Sequence, residues 1–161
     1  MAIRRLNHAV LYVRDARVSA AFYTDVLGFE VVASMDDQAV FLRADGSTND
    51  HDLGLFGVGA RPLAPPHSPG LYHLAWQVHT VDELAALREK LLEAGAFVGA
   101  SDHGVSRSLY ARDPDGIEFE VMWAVPRDQW PDAPFTGTLD LSADLARFAG
   151  VDTAEQVSLR P

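Results

Sequence analysis

Apolar and polar positions alternate along Leu6-Asn-His-Ala-Val-Leu-Tyr-Val13. The same shape returns at Leu71-Tyr-His-Leu-Ala-Trp-Gln-Val78, with histidine third in each run. Alternation with period two predicts half-buried strands. Each run leads into a segment of helical period. In the first, Asp15 is placed to cap a helix with Val18, Ala21, Phe22 and Val26 on its apolar face, and Gly28 ends it. In the second, Thr80 and Glu83 form a capping box, Leu84, Leu87 and Leu91 share a face, and Gly95 is the stop. Three short strand-like runs follow each helix, at 29–34, 39–43 and 51–56 and again at 97–100, 106–112 and 117–123.

The turns correspond too, Arg43-Ala-Asp-Gly46 matching Arg112-Asp-Pro-Asp-Gly116. Self-similarity at this many points predicts an α+β fold of two βαβββ modules in tandem. They span about 3–57 and 71–124 of a single domain over 1–124, with a Pro-rich linker at 58–70. Residues 125–161 carry turn signals at Val125-Pro126, Trp130-Pro131 and Ala133-Pro134, and one amphipathic stretch near 139–148. This C-terminal extension fits either an arm over the domain or a tail.

Composition narrows the function. A chain of 161 residues, 48% hydrophobic, is long and apolar enough for a packed core. Its net charge of −10 argues against nucleic acid or an anionic membrane as partner, because phosphate binding needs clustered Lys and Arg. There is no cysteine, so neither a disulfide framework nor a thiolate metal site is available, and a metal would fall to carboxylates and the six histidines. The first apolar run is interrupted by His8 and closed by Arg14-Asp15, too short and polar for a signal or membrane segment. These features predict a soluble, cytoplasmic protein.

Candidate chemistry concentrates in Ser108–Trp123, SLYARDPDGIEFEVMW, where a tyrosine and two glutamates interrupt a strand pair. Asp113-Pro-Asp-Gly116 suits a three-residue hairpin loop, with a type I turn at Pro114-Asp115 and Gly116 supplying positive φ. Asp113 and Ile117 then flank the loop, which puts Tyr110 opposite Glu120. Glu118 falls nearest the turn, at a solvent-facing rim, and Glu120 deeper. His8 and His73 occupy equivalent places in the two modules, and pseudo-twofold packing would bring their strands near one another. With Glu120 they make a 2-His-1-carboxylate set, which caps one face of a divalent ion and suits non-haem Fe(II). A lone strand histidine is more often a hydrogen-bonded core residue; the equivalent pair with a carboxylate reverses that weighting.

LNHAVLYVRD, AFYTDVLGFE and RDPDGIEFEVMW resemble the vicinal oxygen chelate superfamily of glyoxalase I, bleomycin-resistance proteins and type I extradiol dioxygenases. The resemblance implies that the two modules form a curved mixed sheet. NDHDLGLF (49–56), LYHLAWQV (71–78), DHGVSRSLY (102–110) and DPDGIEFEVMW look most like a single-domain extradiol catechol dioxygenase. That likeness implies metal ligands His8, His73 and Glu120, with His51, His103 and Tyr110 as catalytic residues around the substrate. His51 would act as base or as hydrogen-bond donor to dioxygen, and Tyr110 and His103 would bond the substrate oxygens. It further implies Fe(II), with Mn(II) or another divalent ion as the alternative, a small aromatic substrate with O2, and a homodimer.

Two alternatives stay open. A glyoxalase-like isomerase or lyase would need a carboxylate on the last strand of the first module. Gly54 stands near that place, and Asp52 has the wrong parity unless a bulge shifts it. A drug-binding protein of the bleomycin-resistance kind would dispense with metal ligands altogether. His67 and His79 carry no such role and are expected in solvent.

Overall fold

Asp15 and Thr80, the two residues placed to start helices, both do so. Asp15 Oδ1 accepts from the backbone N–H groups of Arg17 and Val18 at 2.9 and 3.1 Å. Thr80 Oγ1 accepts from the Glu83 N–H at 3.2 Å, and the Glu83 carboxylate accepts in return from the Thr80 N–H at 3.2 Å. A computed structural model of the chain describes residues 3, 5–62, 65, 68–133 and 135–157, without the side chains of 156 and 157. Residues 63, 64, 66 and 67 of the expected linker, and His67 with them, lie outside the described residues, as do Pro134 and 158–161.

The chain divides into two units, 1–68 and 69–161. The first contains β1 (Ala9–Val13), α1 (Ala16–Asp25), β2 (Glu30–Met35), β3 (Ala39–Arg43) and β4 (Leu53–Gly57), in sheet order β1-β4-β3-β2. The second repeats it with β5 (Leu74–Val78), α2 (Val81–Glu93), β6 (Phe97–Asp102), β7 (Ser106–Arg112) and β8 (Glu118–Ala124), in order β5-β8-β7-β6. In each sheet the first strand pairs parallel with the last, and the other pairings are antiparallel. The architecture is therefore α+β, a tandem of βαβββ modules with two four-stranded mixed sheets.

Leu11, Val13, Leu42, Leu53 and Leu55 are buried in the first unit, and Leu84, Leu91, Leu109, Phe119, Val121 and Trp123 in the second. Each such side chain contributes about 1.5–3 kcal/mol by leaving water. The buried face of α1 differs from the expected one. It is Ala16, Ser19, Ala20 and Tyr23, while Val18 is 55% exposed. The small side chains go inward because Tyr23 is the large residue this face buries, packed edge-on against Phe22 and Phe29 with ring centroids 5.6 and 5.9 Å away.

The hairpin holds its expected register, pairing Arg112 with Glu118, Tyr110 with Glu120 and Ser108 with Met122. Asp113 donates its N–H to Ile117 O at 3.0 Å, and Gly116, at φ 83°, donates to Asp113 O at 2.9 Å. Glu118 is not open to solvent as expected: its side chain is 18% exposed and lies 3.5 Å from Arg112 Nη2. Arg112 covers the rim from the facing strand and half-buries the carboxylate.

The extension packs within the second unit as far as it is described. It contains a 3-10 turn (Arg127–Gln129), α3 (Leu141–Phe148) and a second 3-10 turn (Ala154–Val157). The Phe148 ring lies 5.4 Å from that of Trp123, and Thr153 Oγ1 donates to Ala124 O at 2.7 Å. Gly137 and Asp102 exchange two backbone hydrogen bonds, of 2.8 and 3.0 Å. Among the described residues, no helix is long and apolar enough to cross a membrane.

Candidate metal and substrate site

Both histidines of the expected ligand pair stand one residue before their strands, His8 before β1 and His73 before β5. In the first unit, His8 Nδ1 lies 2.9 Å from Asn7 Oδ1. The His51 ring sits beside it, with centroids 4.6 Å apart, and meets Phe41 edge-on at 5.1 Å. His51 Nδ1 is 2.9 Å from Asp50 Oδ2. Both rings are thus oriented through Nδ1, which leaves Nε2 for a ligand or a proton.

Asp52 serves the loop before β4. Its carboxylate accepts from Ala44 N–H at 2.9 Å, Ser47 Oγ at 2.9 Å and Asn49 Nδ2 at 2.6 Å. Strand register identifies Gly54, two residues on, as the counterpart of Glu120: Ala9 pairs with Leu53 as Leu74 pairs with Phe119, and Gly54 and Glu120 come next. The first unit therefore offers no carboxylate at the place where the second offers Glu120.

In the second unit His73 Nε2 faces Glu120 Oε2 at 3.1 Å, and both side chains are largely removed from water, 24% and 13% exposed. The Tyr110 ring lies 6.0 Å from that of His73. Its hydroxyl is 2.8 Å from His103 Nε2, and His103 Nδ1 is 3.2 Å from Thr136 Oγ1. Burial raises the Tyr110 pKa above its ordinary 10.0, and the Glu120 carboxylate pushes it in the same direction. The phenol is therefore protonated at neutral pH and can donate a hydrogen bond. His79 lies apart from this group, exposed, with Nδ1 3.3 Å from Asp152.

His73 Nε2 and Glu120 Oε2 are donor atoms of the kinds a divalent ion takes, and His73 Nδ1 is buried with no hydrogen-bond partner. Without metal, a proton on Nε2 joins the two side chains; a metal ion would replace that proton. The residues therefore fit a divalent cation of intermediate softness. Among the described residues, no three or more His, Cys, Asp and Glu side chains form a group that could hold a metal ion. The expected trio takes His8 from the first unit and His73 with Glu120 from the second.

Sequence reasoning missed Asp50, Tyr72 and Thr136. Asp50 was findable, since it directly precedes His51. Tyr72, whose ring is 4.7 Å from that of His73, likewise adjoins an expected ligand. Thr136, 33 residues from His103, left no local signal.

The model of the Glyoxalase/Bleomycin resistance protein/Dioxygenase superfamily matches residues 5–121. A catechol-2,3-dioxygenase of Bacillus subtilis (strain 168) is 36% identical over 129 residues, covering 78% of this chain and 43% of the relative, so the chain spans less than half of that enzyme. An ethylmalonyl-CoA/methylmalonyl-CoA epimerase of Cereibacter sphaeroides is 32% identical over 103 residues, covering 60% of this chain and 75% of the relative. Among solved structures, a glyoxylase/bleomycin resistance protein/dioxygenase domain from Frankia sp. EAN1pec superposes with TM-score 0.61 at 28% identity, covering 77% of this chain and all (100%) of that one.

Proposed function

Because the chain belongs to the glyoxalase/bleomycin resistance protein/dioxygenase superfamily, we propose that it is an extradiol-type dioxygenase opening a catechol-like aromatic ring with O2. The observation that carries this reading is the Tyr110 hydroxyl, 2.8 Å from His103 Nε2 and across the strand pair from Glu120. A phenol held protonated beside an imidazole is suited to grip and deprotonate a hydroxylated ring. The likeness to the Bacillus catechol-2,3-dioxygenase supports it.

His8, His73 and Glu120 would hold the metal, Fe(II) foremost with Mn(II) as an alternative. The bound ion would act as a Lewis acid and as a template for both reactants. Two neutral imidazoles and one carboxylate leave such a site with a net charge of about +1, which a catechol monoanion would neutralise. The Tyr110 O–H donates to His103 Nε2, and as that proton passes to the imidazole the phenol oxygen takes the proton of one substrate hydroxyl. His51, fixed through Nδ1 by Asp50, takes a proton at Nε2. A homodimer belongs to the same proposal, and light scattering checks it.

The likeness to an epimerase favours a second reading, a glyoxalase-like isomerase or lyase. Gly54 in the place of a carboxylate weighs against it. The experiment that decides is anaerobic loading with Fe(II), followed by catechols in air. Oxygen uptake with a yellow ring-opened product is expected. Absence of turnover with any catechol, together with unchanged metal content in His8→Ala, would overturn the dioxygenase reading.

A further inference from the structure

The ring of His103 is held at both nitrogens, and the two partners come from different parts of the second unit. Tyr110 on β7 faces Nε2 at 2.8 Å, and Thr136 of the extension faces Nδ1 at 3.2 Å. We propose that Thr136 is a positioning residue: its hydroxyl fixes the ring orientation and tautomer of His103, so the C-terminal extension completes the Tyr110–His103 pair. The catalytic consequence rests on the dioxygenase reading; the structural consequence does not.

The segment around His103 is pinned from both sides. Before it, Asp102 forms the backbone bridge to Gly137, and its carboxylate accepts from the Gly104 N–H at 2.7 Å and from Arg107 Nη1 at 2.5 Å. After it, Gly104 stands at φ +77°, and a Cβ there would lie 2.6 Å from Pro131 Cγ and 2.8 Å from Phe135 Cε1. The extension therefore presses directly on the turn that carries His103, and Thr136 follows Phe135 in sequence. Arg107 in turn reaches Asp144 on α3 at 2.7 Å, which ties the far end of the extension to the same strand.

The proton assignment is part of the proposal and follows from the relay it serves. A neutral imidazole has one donor and one acceptor nitrogen. Each hydroxyl can donate or accept, and a proton relay from Tyr110 requires the arrangement in which its O–H donates to Nε2, with Nε2 the acceptor. Nδ1 must then carry the hydrogen and donate it to Thr136 Oγ1, whose own hydrogen is free to meet water because Thr136 is exposed. Only with this tautomer can Nε2 accept the phenolic proton when Tyr110 deprotonates a bound ring.

Long-range 1H–15N spectra of the metal-free protein test this, with His103 assigned by difference against His103→Gln. The wild type is expected to show the Nδ1–H tautomer. Thr136→Val keeps the side-chain shape and removes the acceptor, and should give a mixture with Nε2–H; Thr136→Ser should restore the wild-type spectrum. In iron-loaded protein, Thr136→Val should lower kcat by about 10-fold with little change in KM, the scale seen when a partner orienting a site histidine is removed. An Nε2–H wild type, or an unchanged tautomer in Thr136→Val, overturns the proposal. Failure of the wild type to cleave any catechol would sink the dioxygenase reading and leave the spectra as an independent result.

Discussion

Arg107 on β7 holds Asp144 on α3 through Nε at 2.7 Å, with both side chains nearly out of water, 12% and 10% exposed. The same guanidinium donates to Asp102 at 2.5 Å, so one cation joins two carboxylates from β6 and the extension. Removing one partner of such a group leaves charge buried without its counterpart. Asp144→Ala is therefore expected to destabilise the protein by about 3 kcal/mol, near the lower end for broken buried pairs because Asp102 still faces Arg107. Urea unfolding measures it, and a change below about 1 kcal/mol, the range of exposed pairs, would show that α3 is not anchored there.

Gly104 and Gly28 have nearly equal positive φ, +77° and +78°, but only Gly104 has neighbours where a Cβ would sit. Gly28→Ala should cost the left-handed strain alone, about 1–2 kcal/mol. Gly104→Ala adds overlap with Pro131 and Phe135, and should cost a further 1–3 kcal/mol or so. Thermal or urea denaturation of the two variants side by side isolates the difference. Equal losses would mean that the extension does not press on the turn at Gly104.

Tyr110 makes stability depend on alkaline pH in the metal-free protein. Its folded pKa lies above the unfolded value of 10.0, so between the two values the unfolded chain has released a proton that the folded chain keeps. The contribution is complete below about pH 10 and is lost as pH rises through the folded value. Wild type should therefore lose more stability than Tyr110→Phe between pH 9.5 and 11, the window set by an ordinary tyrosine pKa of about 10. Parallel profiles for the two proteins would contradict the raised pKa.

The parts of this fold that were legible are those with local causes. Three loop residues between Asp113 and Ile117 determine the hairpin register, so the Tyr110–Glu120 pairing followed from turn chemistry alone. The caps at Asp15 and Thr80 were equally local. The face of α1 was misjudged because Ala16, Ser19 and Ala20 carry little hydrophobic signal, while exposed Val18 carries much. Glu118 was placed at a solvent-facing rim although the same register sets Arg112 opposite it, because register gives the facing residue and not how far its side chain covers the carboxylate. The extension was the least legible element. Its attachments join residues far apart in sequence, Asp144 to Arg107 and Thr136 to His103, and neither pair leaves a periodic trace.

Glu118 and Glu120 share one face of β8, and their exposures, 18% and 13%, hardly separate them. Their partners do. Glu118 is engaged by the Arg112 guanidinium at 3.5 Å, whereas Glu120 lies 3.1 Å from a histidine nitrogen that a cation could claim. A carboxylate committed to arginine is already neutralised; one facing an imidazole nitrogen can share a metal ion with it. Glu120→Gln should therefore weaken Mn(II) or Co(II) binding by 100-fold or more, since about 10–100-fold is what the loss of a merely orienting partner costs. Glu118→Gln should change it by less than about 3-fold, as expected when a screened neighbouring charge is removed. Anaerobic titration calorimetry on the two variants reads both numbers. Equal losses would mean that the site feels only the total negative charge on this face, and would remove Glu120 from the proposed ligand set.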